Sequence, residues 1–151
     1  MMRKFLILYT STTGSTEQMA EVMEAHLKAN NREVEMQMID FYRLRKESFT
    51  TYDAVLIGTY TWNNGETPYE MEDFLDELDR CDLSGPVFAV FGSADSFYDT
   101  YGVAIDLVYD FLQNKKCNLM PQTLKVNLQP KEADIASCKD FVNQVLEVIQ
   151  Q

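Results

Sequence analysis

Apolar residues occur in two patterns along this chain, one typical of strands and one typical of helices, and segments with the two patterns alternate from one end to the other. Strands with almost entirely apolar residues are predicted at 4–9, where only Lys4 is charged, at 54–58 and at 87–92, and we expect all three to be buried. Residues 33–39 instead alternate between apolar and polar side chains, which is typical of a strand at a sheet edge. A fifth strand is predicted over residues 119–126, where Pro121 interrupts the beginning.

Between these strands, apolar residues recur at helical spacing. Helices are predicted over residues 16–30, 68–79, 101–116 and 133–149. Alternating strands and helices predict an α/β fold, a three-layer doubly wound sheet of five parallel strands, in a single domain of residues 1–151. Ligands of such sheets bind beyond the carboxyl ends of the strands, so the loops after strands one, three and four are the candidates for a site.

Charge and cysteine content narrow the function classes. The chain has 24 acidic residues against 13 Lys and Arg, a net charge of −11, so we expect no nucleic acid or membrane partner and an attraction to basic protein surfaces. Solubility alone is the alternative explanation of this charge. Three cysteines without C-x-x-C spacing favour a reducing cytoplasm and argue against disulfides and a zinc site. The N-terminal residues show no cleavage site, so we expect no signal peptide.

The loop after the first strand reads Ser11-Thr12-Thr13-Gly14-Ser15-Thr16 and leads directly into a helix. Hydroxyls at the positive end of a helix dipole form an anion site. The loop lacks the Lys of a nucleotide-hydrolysing P-loop and the three glycines of a dinucleotide fingerprint. It therefore predicts one phosphate, held by neutral donors and never transferred. The alternative is a turn whose hydroxyls only cap the helix.

The loops after strands three and four supply aromatic residues. Trp62, the single Trp of the chain, precedes the turn sequence Asn63-Asn64-Gly65, which favours a ring at the surface, although a Trp folded over the core is the alternative. The other loop carries Asp95 and Tyr98, which could equally be a cap and a solvated tyrosine. Together with the phosphate loop, they predict a slot for a flat, monophosphorylated ring compound.

Three motifs in these loops resemble those of the short-chain flavodoxins, over essentially the whole chain. Residues 11–16 match the family's T/S-x-T-G-x-T, residues 61–65 match T-W-x-D/N-G, and residues 91–98 match F-G-S/C-G-D-x-x-Y. The stretch from residue 116 to residue 133 leaves no room for the insertion of long-chain members. The resemblance implies the strand order 2-1-3-4-5 and bound flavin mononucleotide (FMN) at the edge where the strand order reverses.

The resemblance further implies a low-potential one-electron carrier, not an enzyme, that works as a cytoplasmic monomer between a flavodoxin reductase and acceptor oxidoreductases. Trp62 and Tyr98 would enclose the flavin ring, and Asp95 with nearby backbone amides would bind its pyrimidine edge. No catalytic residue and no metal is implied. The implied cofactor-binding residues are Ser11, Thr12, Thr13, Gly14, Ser15, Thr16, Thr59, Tyr60, Thr61, Trp62, Asn63, Asn64, Gly65, Ser93, Ala94, Asp95, Tyr98 and Tyr101.

Two positions depart from the family pattern. Ala94 and Asn63 stand where the family usually has Gly, so a penalty is expected if either backbone needs positive φ. At Asn63 the family's peptide flips on reduction, and we expect a less favourable flip here.

An acidic segment follows Trp62 in the sequence. In one interpretation, this segment flanks the flavin, lowers the second reduction potential of the flavin and docks basic partners. In the other, it is a solvated helix face. Its acids are Glu70, Glu72, Asp73, Asp76, Glu77, Asp79 and Asp82.

Other function classes share this fold. A phospho-acceptor receiver domain would need acids where strands one and three end, and those strands end in Tyr9-Thr10-Ser11 and Gly58-Thr59. An FMN-dependent quinone reductase would need an open ring face, which Tyr98 opposes. A flavodoxin-like activator of ribonucleotide reductase is the remaining alternative.

Overall fold

A computed structural model describes residues 4–61, 67–96 and 101–150. Every strand pair within these ranges is parallel, and the strand order is β2-β1-β3-β4, followed by β5 and β6, which both pair with β4. The strands are β1 (Lys4–Tyr9), β2 (Glu33–Met38), β3 (Ala54–Tyr60), β4 (Val87–Ala94), β5 (Asn118–Leu119) and β6 (Leu124–Asn127). The helices are α1 (Ser15–Ala29), α2 (Tyr69–Leu78), α3 (Val103–Asn114) and α4 (Glu132–Ile149), with a 3-10 turn at Ile39–Phe41.

This arrangement confirms the predicted doubly wound α/β fold and its order, but the fifth strand predicted over residues 119–126 is divided into two strands. β5 pairs with the beginning of β4, where Asn118 lies opposite Val87, and β6 pairs with its end, where Leu124 lies opposite Phe91. Pro121 lies in the gap between them, since it has no N–H to donate to a sheet ladder. The fifth position of the sheet is therefore filled by two short segments.

The core has two layers because the sheet is covered on both faces. Alternate residues of β1 point to opposite faces: Phe5 and Ile7 belong to the apolar cluster under α1 and α4, and Leu6 and Leu8 to the cluster under α2 and α3. All four side chains are fully buried. None of the helices within the described ranges is long and apolar enough to cross a bilayer.

The carboxyl ends of β3 and β4 run two residues further than predicted. Their pairing continues to Tyr60 opposite Ser93, which makes Thr59, Tyr60, Ser93 and Ala94 strand residues rather than loop residues. Gly92 permits this close approach, because a Cβ there would overlap the carbonyl oxygen of Thr59. The two strands thus bring polar residues to the same edge of the sheet as the end of β1.

Candidate functional site

A cleft of about 770 Å³ opens at the carboxyl edge of the sheet, a size that suits a small molecule. Eight of the residues that line it were predicted to bind a ligand: Thr12, Thr13, Ser15, Tyr60, Thr61, Ser93, Ala94 and Asp95. Leu128 and Gln129 complete the lining among the described residues. The lining within those ranges contains no positively charged side chain.

The loop before α1 is folded around its own hydroxyls. Ser11 Oγ accepts hydrogen bonds from the backbone N–H of Gly14 at 3.1 Å and of Glu17 at 3.4 Å. Gly14 precedes the helix with φ at +93°, a left-handed conformation that glycine adopts without penalty. The hydroxyls of Thr13 and Ser15 lie 3.4 Å apart and both residues face the cleft. The loop therefore presents hydroxyls and the positive end of α1 to the cleft.

A buried hydroxyl cluster attaches the start of α1 to the ends of β3 and β4. Thr16 is fully buried, and its Oγ1 donates to the carbonyl of Thr59 at 3.3 Å and lies 2.7 Å from Ser93 Oγ. Thr59 is also fully buried. The structure thus places Thr16 and Thr59 behind the wall of the cleft, where their hydrogen bonds align the helix with the strand ends.

Two carboxylates support the residues that enter the phosphate loop. Tyr9 OH donates to Glu17 Oε2 at 3.2 Å, and burial together with this contact raises the pKa of Tyr9 to about 12. Glu70, in the first turn of α2, accepts from Thr10 Oγ1 at 2.8 Å and from Tyr60 OH at 3.0 Å. The sequence placed Glu70 only in a charged surface segment, since nothing in its spacing indicates these partners.

The connection between β6 and α4 forms a part of the cleft that the sequence did not indicate. Leu128 adopts a left-handed backbone with φ at +59° and remains 55% exposed. Its N–H donates to the carbonyl of Ala94 at 2.8 Å, and Asn127 Oδ1 accepts from the N–H of Ser96 at 2.9 Å. These bonds hold the residues after β4 against the chain that leads into α4. Leucine has no turn preference that would have signalled this role.

The structure shows the backbone at Ala94, one of the two positions that depart from the family pattern. Ala94 is the last residue of β4, and within the described ranges positive φ among non-glycine residues occurs at Asn31, Lys116 and Leu128. Ala94 therefore carries no left-handed penalty. Asn63 lies outside the described residues, as do Trp62, Asn64, Gly65 and Tyr98.

The residues that flank these undescribed segments are fixed by hydrogen bonds. The N–H of Thr61 donates to the carbonyl of Ser93 at 3.3 Å, and Thr61 Oγ1 accepts from the N–H of Ala104 at 3.1 Å, at the start of α3. Tyr101 is half-buried and does not contribute to the described lining of the cleft. Burial and the nearby charge of Asp134 raise the pKa of Tyr101.

The acidic segment is distributed along the whole of α2. The helix begins at the carboxyl edge of the sheet, and its ten residues extend about 15 Å away from that edge. Glu70 and Glu72 lie in the first turn, whereas Asp79 follows the last turn and pairs with Lys115. Only the beginning of the segment is therefore near the cleft, and the rest is a solvated face. No cluster of His, Cys, Asp and Glu suited to a metal occurs in the described ranges.

Comparisons with known proteins agree on one family. The family model described as Flavodoxin matches residues 7–141. The chain is 36% identical over 146 residues to probable flavodoxin 1 of Bacillus subtilis, covering 96% of this chain and 91% of that protein. The crystal structure of oxidised flavodoxin 2 from Bacillus cereus superposes with a TM-score of 0.88 at 36% identity, over 96% of this chain and 99% of the other.

A more distant likeness adds a structure with a ligand. Fusobacterium nucleatum flavodoxin, whose crystal structure is of the protein bound to flavin mononucleotide, shares the fold with a TM-score of 0.77 at 16% identity. That match covers 97% of this chain and 99% of the other. The short-chain type predicted from the sequence is confirmed by a short-chain flavodoxin associated with a bacterial microcompartment, which superposes with a TM-score of 0.89 at 27% identity over 98% of this chain and 99% of the other.

Proposed function

The chain belongs to the flavodoxin family, and from this we propose that it is a low-potential one-electron carrier whose FMN binds non-covalently in the cleft at the carboxyl edge of the sheet. Flavodoxins are FMN-binding electron-transfer proteins rather than enzymes, and this chain is one of them. The two FMN-related alternatives, a quinone reductase and an activator of ribonucleotide reductase, are not favoured by these relatives.

The observation that carries the proposal is the hydroxyl-rich start of α1, which faces the cleft without a cation in the described lining. The hydroxyls of Thr12, Thr13 and Ser15, with the backbone at the helix start, suit a phosphate that stays bound. A phosphate that leaves in a reaction would need a positive charge to stabilise it, as in P-loop enzymes. The residues present therefore fit the phosphate of FMN as a permanent anchor.

The ring of FMN would lie between the loops that leave β3 and β4. Thr61 and Asp95, the described residues at the start of these loops, both line the cleft. We propose that Trp62, the residue after Thr61, and Tyr98, three residues after Asp95, stack on the two faces of the flavin, and that Asp95 with adjacent backbone amides binds its pyrimidine edge. When bound, FMN supplies the one-electron redox chemistry of the family.

The surroundings of the cleft would favour a low second reduction potential. A neutral cradle leaves the phosphate charge uncompensated, and Glu70 and Glu72 add negative charge at the same edge. Stacking in an apolar slot further disfavours negative charge on the reduced ring, because it removes water. The residues of this chain thus oppose the second electron more strongly than the first.

A flavodoxin exchanges electrons with redox partners, and the net charge of −11 indicates which surfaces these partners present. We propose a reductase and acceptor oxidoreductases that dock through basic surfaces, since complementary charge accelerates association. The same charge disfavours nucleic acid and anionic membranes. We further propose a cytoplasmic location, which the free thiols of Cys81, Cys117 and Cys138 support, and action as a single-domain monomer.

A spectroelectrochemical titration tests the proposal. We expect the purified protein to be yellow, to release FMN on denaturation, and to show two separate one-electron reduction steps. Trp62→Ala should weaken FMN binding and raise the second reduction potential, because one stacking face is lost. A protein that binds no FMN in titration would overturn the proposal, and a single two-electron wave would favour a reductase instead.

A further inference from the structure

One acidic side chain in the described structure connects the two sides of the FMN cleft. Glu70 Oε1 accepts a hydrogen bond from Thr10 Oγ1 at 2.8 Å and another from Tyr60 OH at 3.0 Å. Thr10, which is 1% exposed, is the residue between β1 and the phosphate loop. Tyr60 ends β3, lines the cleft and lies two residues before Trp62. Glu70 therefore touches both segments from a third element, α2.

These contacts distinguish Glu70 from the other acids of α2. Two hydroxyls converge on one carboxylate oxygen, and hydrogen bonds to a charged group are about twice as strong as neutral ones. Glu70 is half-buried, whereas its neighbours Glu72 and Asp73 are exposed. The N–H of Thr10 also donates to the carbonyl of Gly58 at 3.0 Å, so the same two strand ends are joined by a backbone bond below the carboxylate.

The contacts of Glu70 bear on the distance between the loop after β1 and the loop after β3. FMN must place its phosphate on the loop after β1 and its ring against the loop after β3, so its affinity depends on the distance between those loops. A ligand with two linked ends gains affinity only when both sites are held at the span that the linker allows. The Glu70 carboxylate fixes the exit points of both loops, Thr10 on one side and Tyr60 on the other.

We propose that Glu70 is a positioning residue of the FMN site, and that its carboxylate holds the start of the phosphate loop at Thr10 and the end of β3 at Tyr60 at the spacing that one FMN molecule spans. This inference rests on the proposed function, since it presupposes that FMN binds in this cleft. It concerns the geometry between the loops and assigns Glu70 no contact with the flavin.

The test compares FMN with riboflavin, which has the same ring but no phosphate. The ratio of their dissociation constants measures how well both ends of FMN are engaged at once. In Glu70→Ala the phosphate should contribute less to the affinity for FMN. The ratio of the riboflavin dissociation constant to the FMN dissociation constant should therefore fall about tenfold, as expected for the loss of a charge-assisted pair of hydrogen bonds. Glu70→Gln keeps an oxygen that accepts from both hydroxyls and should restore most of the ratio.

Glu72→Ala is the matched control, because it removes an equal charge from the same turn of α2 at an exposed position. Its ratio should not fall, because the loss of an exposed negative charge near the cleft does not weaken the binding of an anionic phosphate. A fall of the same size in Glu72→Ala, or an unchanged ratio in Glu70→Ala, would overturn the positioning role. General destabilisation would lower the melting temperature without changing the ratio.

Tyr60→Phe provides a second test of the positioning role, in which the Glu70 side chain is left unchanged. It removes one donor to the carboxylate and should lower the same ratio. Combined with Glu70→Ala, it should cause little further loss of the ratio, because the two residues act through one contact. Fully additive losses would contradict the inference. If the unaltered protein binds neither FMN nor riboflavin, the proposed function itself fails, an outcome that is distinct from those above.

Discussion

Helices α1 and α2 both begin at the carboxyl edge of the sheet and both carry carboxylates in the first turn, but α1 follows a loop of hydroxyl residues that lines the cleft. Ser11 and Gly14 precede α1, and the carboxylate of its first turn, Glu17, accepts a hydrogen bond from Tyr9 OH. The first turn of α2 carries Glu70 and Glu72. At α1 the hydroxyl residues before and at the helix start face the cleft, whereas at α2 the Glu70 carboxylate accepts hydrogen bonds from Thr10 and Tyr60. The residues at the start of each helix thus favour α1 over α2 as the place where a phosphate binds.

The largest expected effect comes from removal of that anion. Riboflavin should bind about 10³-fold more weakly than FMN, because three charge-assisted hydrogen bonds at about 1.5 kcal/mol each are lost. Quenching of flavin fluorescence during titration measures both constants. Equal affinities would mean that the start of α1 does not anchor the ligand, and the contrast between the two helices would then have no functional meaning.

A carboxylate added to the start of α1 should make it resemble α2. Thr13 is exposed and lines the cleft, so Thr13→Glu places a negative charge beside the phosphate. We expect FMN to bind about 30-fold more weakly, a loss of about 2 kcal/mol from like-charge repulsion. Thr13→Gln loses the same hydroxyl without adding a charge, so it should weaken FMN binding clearly less than Thr13→Glu does. Riboflavin affinity, measured in parallel, should be the same for both variants.

Because Tyr9 is buried and hydrogen-bonded to Glu17, the free energy of unfolding should decrease at alkaline pH. Burial and Glu17 raise the pKa of Tyr9 to about 12, whereas an unfolded tyrosine ionises near 10. The folded state therefore retains a proton that the unfolded state loses, and stability falls as pH rises from about 10 to 12. The limiting slope for one proton is about 1.4 kcal/mol per pH unit.

Chemical denaturation at a series of pH values measures this slope. In Tyr9→Phe the decline should be shallower by the contribution of one group, because phenylalanine has no proton to lose. An identical decline in Tyr9→Phe and in the unaltered protein would show that neither burial nor the contact with Glu17 raises the pKa of Tyr9 in solution.

The smallest expected effect belongs to the exposed face of α2. Glu72→Gln should raise the second reduction potential slightly, because it removes a negative charge near the cleft. The rise should diminish as salt is added, since screening weakens interactions between exposed charges. Glu77→Gln, one and a half turns further along α2, should raise the potential less. Equal shifts from both variants would mean that distance from the cleft does not matter and that only net charge does.

The periodicity of the sequence predicted nearly all of the fold, because each element buries a face of its own. The hydroxyl loop of residues 11–16 was also predictable, since backbone and side chains there act within a few residues. The break between β5 and β6 was not, because the apolar pattern continues past Pro121 and only pairing with β4 shows where the ladder stops.

The parts of the site that depend on contacts between residues far apart in the sequence could not be predicted from the sequence. Leu128 takes a left-handed backbone that leucine disfavours, and a bond to Ala94, more than thirty residues away in the chain, holds it there. Glu70 looks like any acid on a solvated helix until Thr10 and Tyr60 are brought to it by the sheet. Local pattern reveals the loops of such a site, and tertiary structure reveals what holds those loops together.

The two borders of the sheet have a consequence for behaviour at high concentration. Unpaired strand edges are templates on which other chains can add, and regular apolar edges lead to aggregation. At one border β2 carries exposed Glu33 and Gln37, and at the other β5 and β6 are two short segments separated by Pro121. Neither border offers a long, regular row of apolar strand to a second molecule. We therefore expect the folded chain to resist edge-to-edge polymerisation even when it is abundant.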